Sequence, residues 1–131
     1  MGGIKNLDEL IKSMKPELNR GKFVFCTILK DKLDMLKVKP MMLFEEKEGI
    51  TIIIKKEDAD NNKLNYENIW AMITLNVHSD LSAIGFLARI TNKLAENGIS
   101  VNAVSAFYHD HLFVPFDKAE MAIKLLNSLS K

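Results

Sequence analysis

The chain carries one cysteine, Cys26, in 131 residues. A lone thiol cannot close an internal disulfide, so a reducing compartment is expected and the protein is placed in the cytoplasm. Cys26 is also a poor nucleophile. It sits inside the apolar run Phe23–Leu29, where a buried thiol stays protonated. An excess of one charge is missing too. Lys and Arg number 18 against 17 Asp and Glu, a net charge of +1. Nucleic-acid binders show a basic excess or stripe, so no nucleic-acid partner is expected. The runs Lys30-Asp31-Lys32 and Lys55-Lys56-Glu57-Asp58 mix both signs and read as solvated surface. No apolar stretch approaches the roughly 20 residues of a spanning helix. The start, Met1 to Asn6, has no signal-peptide core, and Asn6 stands where a myristoylation motif asks for Ser or Thr. No membrane association is expected. The chain also lacks a phosphate-loop pattern and a nucleophile elbow, and no catalytic activity is expected.

What is present is core-forming sequence. Hydrophobic residues make up 47%, and the length suits one compact domain or two very small ones sharing a core. Leu7, Leu10, Ile11 and Met14 fall at helical spacing behind a capping pair of Asn6 and Glu9, and Pro16 stops that helix. Phe23–Leu29 reads as a strand and Lys30–Pro40 as a loop. Strands follow at Met42–Glu46 and Ile50–Lys56 around a turn at Lys47-Glu48-Gly49. Glu57–Asn68 is charged and Asn-rich, and reads as a boundary or crossing segment. Ile69–Val77 is apolar enough for a central strand. Ile84–Asn97 is an amphipathic helix, its inner stripe Ile84, Leu87, Ala88, Thr91, Leu94 and Ala95. A strand at Ile99–Phe107, a tight turn at His109-Asp110 and a return strand at Leu112–Phe116 come next. Asp117 is expected to cap a last helix with Ala119, Ala122, Ile123 and Leu126 inward.

Residues 69–129 therefore read β-α-β-β-α, which places helices on one face of an antiparallel sheet in an α+β, ferredoxin-like layout. That layout wants one more strand. Either the N-terminal half or a second subunit supplies it. The N-terminal half reads as a degenerate copy of the same unit.

The turn at His78–Gly85 is the candidate site. The first turn of the helix after it exposes N–H groups without internal partners, and its dipole end attracts an anion such as an amino-acid carboxylate. Ser79, Asp80 and Ser82 either cap that helix or face a ligand, and Asp80 is also able to accept a ligand ammonium. Gly85 allows close approach. His109 and His111 share a strand face, but a metal site needs three or four ligands and only His78 remains. No metal or cofactor is expected. A metal-dependent enzyme using those two histidines is the weakest alternative.

Three segments carry a resemblance: Asp80–Ile90 (DLSAIGFLARI), Leu94–Ser105 (LAENGISVNAVS) and Tyr108–Val114 (YHDHLFV). Together they resemble an ACT domain, and the chain is most similar to small tandem-ACT proteins of uncharacterised function, which are related to amino-acid-sensing ACT domains. The N-terminal half matches more loosely around Phe23-Val-Phe-Cys-Thr. The spacing from Asp80 to Gly85 is longer than in the ACT domains of metabolic enzymes and resembles the amino-acid-sensing branch. The resemblance implies two ACT-like halves, 1–62 and 63–131. It implies a ligand-binding regulatory or sensor protein without catalysis, most simply an amino-acid binder, working as a homodimer. It implies a site made by His78, Ser79, Asp80, Leu81, Ser82, Ile84 and Gly85 on the turn, with Asn102, Ala103, Val104 and Ser105 on a neighbouring strand. The alternative is a structural or interaction module that keeps this fold without a ligand.

Overall fold

The computed structural model describes residues 2–130. Asn6 starts the first element: its Oδ1 accepts the Glu9 N–H at 3.0 Å, and helix α1 (Leu7–Ser13) follows. Strand β1 (Pro16–Leu18) is short. Then come β2 (Phe23–Ile28), a 3-10 helix (Lys30–Met35), β3 (Met42–Glu45), β4 (Ile50–Lys55) and α2 (Lys56–Asn61). The C-terminal part holds β5 (Trp70–Leu75), α3 (Phe86–Glu96), β6 (Asn102–Ser105), β7 (Asp110–Pro115), a 3-10 turn (Phe116–Lys118) and α4 (Ala119–Leu129).

Packing divides these elements into two compact units. One is Gly21–Trp70; the other joins the residues up to Arg20 with those from Ala71 on. In the first unit the strand order is β3-β4-β2, with antiparallel pairs. Alternate residues share a face of a strand. Val24, Cys26 and Ile28 thus line up with Ile50, Ile52 and Ile54 against Ala59 of α2. Burial there pushes the Cys26 thiol above its usual pKa, which leaves it protonated.

In the second unit β7 lies between β5 and β6. The other edge of β5 pairs antiparallel with β1, Pro16 opposite Leu75 and Leu18 opposite Ile73. The strand that the C-terminal half lacks is therefore supplied within the chain. Ala71, Ile73, Leu75, Leu112 and Val114 form one sheet face under Phe86, Ile90 and Leu94 of α3 and Ala122 and Leu126 of α4. Leu10 and Met14, from the α1 segment, complete this core. Each unit thus presents strand, helical turn, strand, strand, helix, with the first strand beside the last and the middle strand at the edge. The fold is α+β, a tandem of ferredoxin-like units with antiparallel strands and helices on one face.

Several elements differ from their sequence signals. Lys30–Met35 is a 3-10 helix rather than loop, its Lys32 and Leu36 N–H groups bonded to Leu29 and Leu33 carbonyls. The charged segment opens with α2, stabilised by the Lys56–Asp60 ion pair at 2.9 Å and by Tyr66, whose hydroxyl donates to Asp60 at 2.7 Å. Strand Ile99–Phe107 is paired only over Asn102–Ser105. Asp117 caps nothing, because its 3-10 turn precedes the helix and Lys118 takes the cap position without a side-chain bond. The inner stripe of α3 is Phe86, Ile90 and Leu94, not Ile84 and Ala88, which are exposed. The helix begins later than the apolar pattern suggests, and the stripe shifts with it.

A polar line ties the second unit's strands together on the other sheet face. Asn19 Nδ2 donates to the Met72 carbonyl at 3.1 Å and to Thr74 Oγ1 at 2.9 Å. Thr74 Oγ1 lies 3.0 Å from His111 Nδ1. With Asn19 donating to it, the Thr74 hydroxyl is free to donate to a neutral imidazole. Burial first, then the neighbouring His109, lowers the His111 pKa from 6.5, against a smaller opposing pull from Asp110.

Two expectations follow. Leu10 is fully buried, so Leu10→Ala should cost about 2–5 kcal/mol of unfolding free energy in urea titration; a cost below about 1 kcal/mol would mean that α1 is an appendage. For His111, the unfolded chain binds the extra proton between the folded pKa and 6.5. Stability should be full above that value and decline as pH falls below it. Denaturation midpoints compared at about pH 7.5 and 5.5 should differ less in His111→Gln than in the parent.

Candidate ligand-binding site

Leu75 ends β5 and Phe86 starts α3, and the turn between them is shaped from both sides. The N-terminal segment clamps it. Ile4 N–H donates to the His78 carbonyl at 2.7 Å, and Asp80 N–H donates to the Ile4 carbonyl at 2.9 Å. This is a parallel bridge with Ser79 at its centre. The approach explains Gly3: a Cβ there would lie 2.2 Å from the His78 carbonyl oxygen, a distance no side chain tolerates.

Asp80 organises the middle of the turn. Its Oδ1 accepts the Ser82 N–H at 2.8 Å and also the Ser82 hydroxyl, and its carbonyl accepts Ala83 N–H at 2.9 Å. The Ser82 hydroxyl, then the Ser82 N–H, hold the Asp80 carboxyl below its usual pKa, with smaller help from Lys5 and the Gly3 N–H. Asp80 and Ser82 are therefore spent on each other. They do not cap α3. That position falls to Gly85, left-handed at φ 87°, which offers no side-chain bond. The Phe86, Leu87 and Ala88 N–H groups at the helix start thus have no side-chain cap, and the positive end of the dipole is open.

That open end faces a cleft of about 190 Å³ lined by Ser79, Asp80, Leu81, Ala83, Gly85, Phe86, Leu87, Ala88, Ser105 and Asp110. Asp110 was expected in a tight turn. It instead opens β7, paired with Ser105 of β6, because the turn closes earlier: Ala106 N–H bonds the His109 carbonyl at 3.0 Å. The Asp110 side chain points to the helical face and is only 7% exposed. The Ser105 hydroxyl donates to its Oδ1 at 2.7 Å. One wall of the cleft thus attracts anions and another, carrying Asp80 and Asp110, attracts cations.

The structure brings Ser79, Asp80, Leu81, Gly85 and Ser105 together in this cleft. His78 lines a second cavity that shares Asp80 and Leu81. Ser82 reaches the cleft only through Asp80, and Ile84 is 85% exposed. Asn102, Ala103 and Val104 lie along edge strand β6 and do not line the cleft. Sequence reasoning missed Asp110 and the α3 residues Phe86–Ala88. A buried acid two residues before the Leu112–Val114 run, at strand periodicity, was the available signal for Asp110. The His109 and His111 rings are 6.4 Å apart. Among the described residues no three His, Cys, Asp or Glu side chains converge to hold a metal.

Comparison with known proteins agrees with this architecture. ACT domain family models match residues 2–71 and 65–128. A Vibrio cholerae crystal structure, described as a protein of unknown function and possible transport protein, shares 41% identity over 98% of this chain and 99% of its own, at a TM-score of 0.87. A protein from Agrobacterium tumefaciens superposes at 0.68 with 15% identity, covering 88% of this chain and 87% of its own. The ligand-free regulatory subunit of aspartate kinase from Thermus thermophilus superposes at 0.69 with 12% identity, over 92% of this chain and 99% of its own. These last two show likeness of fold. No curated protein matches the sequence. With family models tiling its length in tandem and one solved relative alike from end to end, the chain belongs to the ACT domain family.

Proposed function

We propose that this protein is a regulatory ligand-binding protein, without catalysis of its own, that takes an amino acid in the cleft at the start of α3. One observation carries the reading: the uncapped N–H groups of Phe86–Ala88 share a small cleft with the carboxyl of Asp110. A free amino acid presents the complementary pair. Its carboxylate suits the helix end, and its ammonium suits Asp110, which the Ser105 hydroxyl holds in place. The volume, about 190 Å³, lies below the roughly 300–1,000 Å³ of drug-sized pockets and suits a small metabolite. The tandem halves 1–62 and 63–131 belong to the same reading. Regulation then requires that two arrangements of the protein bind the ligand unequally.

The protein is further read as a cytoplasmic homodimer. No helix among the described residues is long and apolar enough to cross a membrane. Edge strands β3 and β6 offer one unpaired side each, and β3 carries exposed Leu43 and Phe44 on its opposite faces, an apolar edge suited to a second copy. That same surface favours the alternative, an interaction module with no ligand.

Calorimetric titration with each proteinogenic amino acid separates the two. At least one should bind at about millimolar Kd or tighter. Asp110→Asn should weaken it by about tenfold or more while the thermal midpoint shows the variant folded. Silence from all of them at millimolar concentration sinks the amino-acid reading and leaves the interaction module.

A further inference from the structure

The second cavity is built differently from the first. It measures about 270 Å³ and is lined by Gly2, Gly3, His78, Asp80, Leu81 and Phe107. Its aromatic wall is unusual for its exposure. Phe107 and Tyr108 stand 55% and 61% exposed in the β6–β7 connection, where polar turn residues are the norm. Neither belongs to a core cluster. They are nevertheless arranged: the two rings meet edge to face at 5.0 Å, and the His78 ring lies 6.2 Å from Phe107 and 5.3 Å from Tyr108. Tyr108 and His78 thus pack around Phe107, which lines the cavity.

The remaining wall is a carboxylate. Ser82 occupies Oδ1 of Asp80 and the Gly3 N–H also supports the carboxylate, while Oδ2 is turned toward Gly2, where a Cβ would come within 2.8 Å of it. The two glycines pack close on that side, where a side chain on either would strike Asp80 or the His78 backbone. The Ser82 bonds keep Asp80 ionised at neutral pH. Lys5 is a cation whose field reaches Asp80, but its influence ranks behind both Ser82 bonds, and Lys5 does not line the cavity.

An aromatic ring and a carboxylate that line one cavity, with no Lys or Arg among its described lining residues, favour one chemistry. The negative face of a ring and a carboxylate both attract a weakly hydrated organic cation, and bulky alkylammonium groups lose least on leaving water. We propose that this cavity is a site for an organic ammonium cation, seated between Phe107 and Asp80, separate from the cleft at the start of α3. The amino-acid reading is not needed for it. Phe107 and His78 do not line the first cleft, and Asp110 does not line this one.

Amide-resolved NMR titration of the intact protein with tetramethylammonium chloride tests this, with sodium chloride as the ionic-strength control and tert-butanol as a neutral compact control. The expected result is saturable shifts at His78, Asp80, Leu81 and Phe107 with a millimolar or tighter Kd, absent with both controls. Phe107→Ala should weaken binding by about fivefold or more, in keeping with a ring–cation contact of about 1 kcal/mol. Tyr108→Ala, which leaves the cavity lining intact, should weaken it less. Any amino-acid heat from the first cleft should survive Phe107→Ala. The proposal is overturned by the absence of saturable shifts, by equal response to tert-butanol, or by a folded Phe107→Ala variant that binds tetramethylammonium as the parent does.

Discussion

The second unit hangs on the free edge of β5. Ala71, Ile73 and Leu75 are almost wholly buried, so this strand is a central one and its backbone cannot be left to solvent on either side. β7 takes one edge. The C-terminal half has nothing for the other, and a three-residue strand, Pro16–Leu18, fills it. So short a strand pairs weakly by itself. It is held by what flanks it: Leu10 and Met14 are fully buried in the same core, and Asn19 bonds Met72 and Thr74. From that attachment the chain before α1 is carried onto the β5–α3 turn, where Ile4 bonds His78 and Asp80. The geometry of the candidate site is therefore set by residues more than seventy positions away in sequence.

This dependence marks how far the sequence could be read. Regular elements with strong local signals were legible: the Asn6 cap, the hairpin of β3 and β4, the α4 stripe of Ala119, Ala122 and Leu126, and the β-α-β-β-α order. Long-range facts were not. Nothing in Pro16-Glu-Leu18 identifies its partner, because three residues carry no periodicity. Asp80 and Ser82 were ambiguous for a physical reason, since both a helix cap and a self-contained Asx turn use the same residue types. The left-handed Gly85 decides between them by delaying the helix to Phe86, which also rotates the buried stripe away from Ile84. Asp110 was misplaced because Asp favours turns, yet here Ser105 satisfies it inside the sheet.

The two copies of the unit are unequal in a way that bears on function. Each has the same strand order, but the eleven-residue helix α3 of one stands where the other has only the six-residue 3-10 helix Lys30–Met35. A six-residue 3-10 helix carries a smaller dipole than the longer α3. The stronger anion-attracting end is that of α3. The first unit keeps the Ile-rich β4 and its partners, and Leu29 and Met35, at the two ends of its 3-10 helix, stand exposed.

The proposed sites share Asp80 and Leu81, and that has a thermodynamic consequence. Asp80 holds the turn through Ser82 and contributes a wall to both spaces. A cation seated against Asp80 in the aromatic cavity partly neutralises the charge that would attract an ammonium in the cleft. A ligand that stiffens the turn from either side lowers the ordering cost for the other. The first effect opposes joint occupancy and the second favours it. Whichever dominates, the coupling is reciprocal: the factor by which one ligand alters the other's affinity is the same in both directions. Asp80 is the charged residue that lines both spaces, and it is held from two sides, by Ser82 on its carboxylate and by the Ile4 carbonyl on its N–H, so coupling between the sites runs through the turn that these bonds fix.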